Sequence, residues 1–212
     1  MIIQGTETLS SLIHIISESL LTPVIIILII FLVIVILSLG GFINEAISRK
    51  TISSKELEEL IRDISFSNHN QIKEIIEKSN LFKYQKDILM RIANNYDIGI
   101  DARKALASKL IEEEELNLVK NTSKTDVLIR LGPIFGLLGT LIPLGPGLAA
   151  LGSGDISTLA EALIIAFDTT VLGLAIGAVA YFISKFKKQW YENDLSTVEA
   201  IAEAEIEALN KG

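Results

Sequence analysis

Three long apolar runs separate the polar stretches of this chain. The first covers residues 23–39, is interrupted only by Ser38, and extends through two glycines to residue 43. Since a helix needs about 20 apolar residues to cross the hydrocarbon core of a bilayer, this run predicts a transmembrane helix over residues 23–43. The preceding segment, residues 1–22, contains no Lys or Arg. A secretory signal would carry basic residues there, so we expect the span to be retained behind an extracytoplasmic N-terminal segment.

Two further apolar runs, residues 128–151 and 159–183, predict a second and a third transmembrane helix. The polar stretch between them, residues 152–158, predicts a short external loop. Both runs are richer in Gly, Ala, Thr and Pro than the first run. Small residues let helices approach closely, so we expect spans two and three to pack on each other, with span one at the periphery.

The polar stretches, residues 44–127 and 184–212, carry helical patterns and no strand pattern. Ser53 and Glu56 form a capping-box signature, and Asn70 and Asp101 are predicted caps of later helices. The last stretch predicts a helix with Ala and Ile on one side and Glu on the other. Around residues 121–123 the helix either breaks or continues into span two. The predicted fold class is all-α, a polytopic membrane protein with three transmembrane helices and long helical cytoplasmic extensions.

The distribution of Lys and Arg predicts the orientation of the spans. Fourteen of the 19 basic residues lie between residues 44 and 126, and the others follow at residue 130 or after span three. The N-terminal segment and the loop at residues 152–158 have none. Because cytoplasmic loops are enriched in Lys and Arg, we expect an inner-membrane protein with its N-terminus outside and its C-terminus in the cytoplasm.

Composition narrows the function classes. The chain is 50% hydrophobic and 21% charged, has a net charge of −7, and contains two histidines and no cysteine. The charge argues against nucleic acid as a partner. The polar stretches offer no His/Cys cluster, no phosphate-binding glycine loop and no nucleophile motif. We therefore expect no enzyme activity, no metal site and no cofactor.

Spans two and three each carry a stripe of small residues at helical spacing. The predicted packing residues are Gly132, Gly136, Gly139, Gly173 and Gly177. Each stripe also holds one threonine, Thr140 on span two and Thr170 on span three. The ordinary interpretation is tight helix packing. The alternative is that both hydroxyls face a narrow polar path, because a hydroxyl donates and accepts hydrogen bonds without carrying charge.

An acidic residue, Asp168, lies well inside the third predicted span. An ionised carboxylate there costs roughly 2.5 kcal/mol or more unless it is protonated, paired or hydrated, so Asp168 is a candidate for ion transfer. The alternative is that it lies in a wet outer vestibule or bonds a neighbour such as Thr169. Glu161 shares its face nearer the outer end, whereas Thr170 lies on a different face.

Two motifs resemble those of the MotA/TolQ/ExbB proton-channel family. They are Pro133-Ile-Phe-Gly-Leu-Leu-Gly-Thr140, and Ala160-Glu-Ala-Leu followed by Thr170-Val-Leu-Gly-Leu. The resemblance covers about residues 124–188, and the three-span layout is nearest the ExbB and TolQ branch. Glu161 and Thr170 lie further apart than in that pattern. Asp168 is therefore an alternative to Glu161 in ion transfer, and Thr169 is an alternative to Thr170.

The resemblance implies a homo-oligomeric ring, expected to be a pentamer, around a dimer of a single-span partner. That partner would be of the ExbD, TolR or MotB kind and would carry an intramembrane aspartate facing Thr140 and Thr170. Protons would drive the complex, with sodium left open as the ion. The implied function is a proton-motive-force-driven channel or motor subunit that energises its partner for transport or mechanical work. The alternative is a passive membrane scaffold that recruits partners through its cytoplasmic helices.

Overall fold

The computed structural model describes residues 2–49 and 52–211, and side chains within residues 9–49 and 52–210. Residues 1, 50, 51 and 212, which belong to the predicted N-terminal, middle and C-terminal segments, lie outside the described residues. The helices in chain order are α1 (Ile2–Ser19), α2 (Leu21–Ser48), α3 (Ser54–Ser65), α4 (His69–Lys78), α5 (Lys83–Asn94), α6 (Ile100–Gly152) and α7 (Ile156–Lys211). The described ranges contain no strand, and the all-α prediction is confirmed.

Three helical stretches are long and apolar enough to cross a membrane. They are Leu9–Ser48, Ile100–Gly152 and Ile156–Asn210. α6 has 53 residues and α7 has 56, far more than the roughly 20 that a bilayer core requires. Both helices therefore combine an apolar part with a polar extension, and α6 passes through residues 121–123 without a break. The prediction of a polytopic helical membrane protein is confirmed.

The described residues form two compact units. The span unit contains the described residues up to Ile43 together with Ser123–Lys185, and the polar unit contains the described residues from Asn44 to Thr122 and from Phe186 onward. α6 and α7 contribute residues to both units. The three apolar runs thus belong to one unit, and the two long polar stretches belong to the other except at the ends that adjoin spans two and three.

In the span unit, one face of α2 packs on α6 and α7. The buried apolar residues of this core are Val24, Leu28, Val35, Leu128, Ile176 and Ala180. Phe31 of α2 meets Phe135 of α6 edge to face, with ring centroids 5.6 Å apart. The opposite face of α2 stays uncovered, and Leu37 there is 70% exposed. Such a face suits lipid contact, because lipid tails are as apolar as leucine.

A short turn joins α6 to α7 in the span unit. α6 ends at Gly152 and α7 begins at Ile156, so both helices extend into the predicted loop at residues 152–158. Gly154 has a φ of +85°, which glycine adopts without steric cost. The Asp155 carboxylate accepts hydrogen bonds from the Thr158 backbone N–H (3.1 Å) and hydroxyl (2.6 Å) and so caps α7.

In the polar unit, the short helices α3 to α5 pack on the first part of α6 and the last part of α7. The fully buried side chains of this core include Ile64, Ile72, Ile76, Leu89, Ile92, Val198 and Ile201. The predicted capping box is confirmed: Ser53 Oγ accepts from the Glu56 N–H (3.3 Å), and the Ser53 N–H donates to Glu56 Oε2 (2.8 Å). These bonds satisfy two of the free N–H groups at the start of α3.

A buried ion pair joins two distant segments of the polar unit. The Arg49 guanidinium pairs with the Asp194 carboxylate of α7, and both side chains are less than a tenth exposed. The guanidinium also lies 5.1 Å from the ring centres of Phe82 and Trp190. The Tyr84 hydroxyl donates to Asp194 (2.6 Å), and burial together with that carboxylate raises the pKa of Tyr84. Several partners therefore compensate the burial of both charges.

Three predictions in the polar unit were wrong. α4 begins at His69, so Asn68 rather than Asn70 is its cap, with the Asn68 N–H donating to Gln71 Oε1 (3.0 Å). Asp101 lies in the first turn of α6 rather than before it. Glu205 does not join the exposed Glu face of α7, because its side chain is 0% exposed.

Candidate functional site

The backbones of α6 and α7 meet at the glycines of the predicted stripes. A Cβ atom on Gly173 would lie 2.6 Å from the Gly132 carbonyl oxygen and 2.7 Å from the Gly136 Cα. Real Cβ atoms do not approach backbone this closely, so any larger residue would push the helices apart. Gly177 lies in the same interface, where a Cβ would be 3.0 Å from the Pro133 ring. We refer to this α6–α7 interface as the glycine seam.

The hydroxyls of Thr140 and Thr170 lie on the glycine seam and hydrogen-bond to each other. Thr140 Oγ1 also lies 3.0 Å from the Gly136 carbonyl oxygen of its own helix and 3.1 Å from the Ala166 carbonyl oxygen of α7. Both threonines are half-buried. The seam thus brings together two residues that are 30 positions apart in sequence.

The hydrogen bonds of Thr140 to carbonyl oxygens bear on which of the two threonine hydroxyls donates to the other. Carbonyl oxygens only accept hydrogen bonds, so Thr140 satisfies them by donating its single hydroxyl proton. When Thr140 donates to the carbonyl oxygens, the contact between the two hydroxyls is made by Thr170 donating to Thr140. Thr170 keeps acceptor lone pairs for a further donor, such as a water molecule or a protonated group. The pair can therefore receive a hydrogen bond in a membrane span without itself carrying charge.

Thr169, the alternative pore residue, has a different environment. Its side chain is 7% exposed, and its hydroxyl bonds to the carbonyl oxygens of Ile165 (2.9 Å) and Ala166 (3.1 Å) within α7. A Cβ on Gly139 would lie 2.6 Å from the Thr169 Cβ, so the absence of a side chain at Gly139 makes room for Thr169. These contacts make Thr169 a packing residue of the seam.

The two acidic candidates do not lie on the seam. Asp168 and Glu161 are both exposed in the single chain. Asp168 lies between the exposed Phe167 and the buried Thr169, on the side of α7 that α6 does not cover. The structure therefore brings Thr140 and Thr170 together and leaves both carboxylates facing outward from this pair.

A second polar pair on the seam was missed by the sequence interpretation. Ser184 of α7 donates to the Asp126 carboxylate of α6, with 2.6 Å between the oxygens. Asp126 precedes Thr140 by 14 residues, and Ser184 follows Thr170 by 14 residues. Since 14 residues are nearly four whole turns, both pairs lie on the same helix faces, roughly 21 Å apart along the axis. The signal was the position of Asp126 immediately before the second apolar run.

The described residues offer no metal site. Within residues 2–49 and 52–211, no group of three or more His, Cys, Asp or Glu side chains is placed to hold a metal ion. The chemistry available on the glycine seam is that of hydroxyl and carboxylate groups, which bind and pass protons or small cations. Fold and site together define a polytopic helical membrane protein with a polar seam between two spans.

The chain belongs to the MotA/TolQ/ExbB proton channel family, whose model matches residues 70–200. It is also similar to a protein of Methanothermobacter thermautotrophicus that is named as a biopolymer transport protein ExbB homolog. The two are 24% identical over 123 residues, which are 56% of this chain and 44% of the relative. The match thus spans less than half of the relative's length. The family match includes the glycine seam and most of the polar unit.

Proposed function

We propose that this chain is the ring-forming subunit of a proton-driven membrane motor that energises a single-span partner for transport or mechanical work. The observation that carries the proposal is the pair of hydroxyls from Thr140 and Thr170 on the glycine seam of a proton channel family member. The name of the Methanothermobacter relative suggests biopolymer transport as the kind of work. Protons are the proposed ion, with sodium as the alternative.

The chemistry of the threonine pair supports a role beside an ion path. A charged residue buried in a span costs roughly 2.5 kcal/mol or more, whereas a hydroxyl is neutral and still polar. A neutral pair can hold a water molecule or accept a hydrogen bond from a protonated carboxyl of the partner. We propose that the partner contributes such a carboxyl, and that Thr170 is its first contact.

The composition of the polar unit and the distribution of Lys and Arg support a proposal for how the chain is oriented in the membrane. Helices α3 to α5 share one core with the polar parts of α6 and α7, so we place these segments on the same side of the membrane. All 19 Lys and Arg residues occur in these segments or next to the adjoining span ends. By the positive-inside rule, we propose that the polar unit is cytoplasmic and that the N-terminus and the α6–α7 turn are outside.

Asp168 and Glu161 have a separate proposed role. Each is exposed in the single chain, and an exposed carboxylate within a span requires a wet or polar surrounding. A ring of copies, which we propose to be a pentamer, provides such a surrounding where neighbouring chains or a water-filled path cover α7. Replacement of Asp168 by asparagine is expected to lower ion transfer.

The proposal is tested by Thr140→Val and Thr170→Val, with Thr140→Ser and Thr170→Ser as matched controls that keep the hydroxyl. In cells that lack the natural copy, we expect both valine variants to lose proton-motive-force-dependent activity while the complex is still recovered by a tag on this chain. The serine variants should retain activity. Full activity of both valine variants would refute the proposal and favour a passive scaffold.

A further inference from the structure

A long groove runs between α6 and α7 within the polar unit, with a volume of about 700 Å³. Its α6 wall extends from Lys104 to Glu115, and its α7 wall extends from Glu192 to Glu207. With a rise of 1.5 Å per residue, these walls are roughly 16 Å and 22 Å long. The groove therefore has the length of a helix of about three turns.

The floor of the groove is apolar. The floor residues are Ala107, Ile111, Leu195, Ala202 and Ile206. Ala107, Ala202 and Ile206 are buried in the core of the polar unit, and the methyl side chains of the two alanines leave a depression between the helices. A depression of this kind accepts apolar side chains that project from another helix at intervals of three or four residues.

The rim of the groove is strongly acidic. The acidic residues that line it are Glu112, Glu115, Glu192, Glu199, Glu203 and Glu207. Among the described lining residues, Lys104 is the only basic side chain. Glu112 has an exposed ion pair with Lys109 (3.2 Å), and exposed pairs of this kind exchange readily with other cations. The six carboxylates produce a negative field directly above an apolar floor.

This charge pattern decides between possible occupants. In a two-fold contact, the same groove of a second copy would bring a further six carboxylates against the first six, which is repulsive. An anionic lipid surface would be repelled for the same reason. A neighbour in a ring would meet the groove with a different surface, and that occupant is an outcome of the test below. A helix with apolar side chains on one face and Lys or Arg along its flanks complements both the floor and the rim.

We infer that this groove is a docking site for a basic amphipathic helix of a partner protein. The apolar face of that helix lies on the alanine-lined floor, and its basic flanks pair with the glutamates of the two walls. The acidic rim speeds the encounter and excludes acidic helices. This inference concerns the polar unit alone and stands whether or not the threonine pair lines an ion path.

The test uses the full chain in nanodiscs of zwitterionic phosphatidylcholine, so that a cationic peptide is not drawn to the lipid. Because the sequence has no cysteine, a fluorophore on Ser196→Cys, at the groove wall, reports occupancy. The probe is a 14-residue peptide with leucines at helical spacing and lysines elsewhere. The reference peptide has the same composition in an order that gives no apolar face. We expect saturable binding of the probe and markedly weaker binding of the reference.

Matched variants separate docking from general charge attraction. Glu199→Gln with Glu203→Gln removes two rim charges and is expected to weaken binding about tenfold. Glu58→Gln with Glu113→Gln removes two exposed charges outside the groove and should leave binding unchanged. Ser108→Trp fills the groove from an exposed wall position without changing charge and should prevent binding.

Three results would overturn the inference. One is equal weakening by the groove and control pairs, which would mean that attraction is nonspecific. Another is equal binding of the probe and the reference peptide. The third is a fluorophore on Ser196→Cys that is already shielded from an aqueous quencher in the assembled chain and that the probe does not displace, which would mean that a neighbouring copy covers the groove.

Discussion

Replacement of Glu205 by glutamine is expected to stabilise the polar unit at neutral pH. The Glu205 side chain is 0% exposed, and neither carboxyl oxygen has a hydrogen-bond partner among the described residues. Burial raises the pKa of this carboxyl to about 8 from an ordinary value of 4.5, although the nearby Arg103 guanidinium acts in the opposite direction. Arg103 donates instead to backbone carbonyls, including those of Tyr96 (2.5 Å) and Ile98 (3.0 Å).

The direction in which stability changes with pH depends on how strongly Glu205 binds its proton in the folded and unfolded chains. In the unfolded chain Glu205 ionises above about pH 4.5, whereas in the folded chain it keeps its proton until about pH 8. Wild-type stability should therefore fall between these values by up to roughly 1.4 kcal/mol per pH unit through this group. At pH 7 the ionisation of Glu205 stabilises the unfolded chain by about 3 kcal/mol, because the folded chain keeps this carboxyl protonated. Glutamine never ionises. Its buried amide brings two N–H donors where the protonated acid has one O–H, a cost that does not change with pH and offsets part of the stabilisation expected from the substitution.

The assay is urea unfolding of the full chain in detergent, from pH 5.5 to 8.5. The single tryptophan, Trp190, belongs to the polar unit and reports its unfolding by fluorescence. The difference in unfolding free energy between Glu205→Gln and the wild type isolates this carboxyl, because all other groups titrate in both proteins. Glu207→Gln, at an exposed neighbouring position, is the control. A difference that stays constant with pH, or a variant less stable than the wild type at pH 7.5, would refute the reasoning.

Two further predictions concern packing. Gly173→Val should separate α6 from α7 and reduce the thermal stability of the detergent-solubilised chain. Gly145→Val is the control, because a Cβ there meets nothing within 4 Å, and it should leave the stability unchanged. An equal loss of stability in both variants would contradict close packing at the glycine seam. Arg49→Met should cost about 3 kcal/mol in urea unfolding of the polar unit, because the Asp194 carboxylate stays buried without its cation. An unchanged free energy of unfolding would mean that the remaining contacts of Asp194 suffice.

Most of the fold followed from residue patterns in the sequence. The apolar runs predicted three spans because hydrocarbon thickness imposes a minimum length on any membrane helix. The Ser53–Glu56 signature located the start of α3, because its two hydrogen bonds are local. Asn68 and Asn70 were harder to separate, since both are suitable cap residues and the choice depends on how α4 packs. The sequence did not show whether α6 continues through residues 121–123, because Asn, Thr and Ser are weak helix formers. A long helix tolerates such residues when its faces are packed, and packing is not visible in the sequence.

The site was predictable in part. The small-residue stripes identified both helices of the seam, but periodicity alone did not show that the Thr140 and Thr170 hydroxyls meet across it. That contact depends on the vertical register of α6 against α7, which is set by the glycine contacts between them. Glu205 shares the helical spacing of Val198 and Ile201, yet its charge suggested exposure. A carboxyl can be buried when apolar surroundings keep it protonated and neutral. Those surroundings come from packing between helices, which the sequence alone does not show.

The most direct test of the central claim is proton flux into liposomes that contain the complex isolated by a tag on this chain. Wild type, Thr170→Val and Thr170→Ser are compared with a pH-sensitive dye under an imposed membrane potential, after native mass spectrometry has shown equal assembly. We expect Thr170→Val to lower proton flux at least tenfold, while the flux through Thr170→Ser stays near that of the wild type. Flux through the valine variant at the wild-type rate would contradict it.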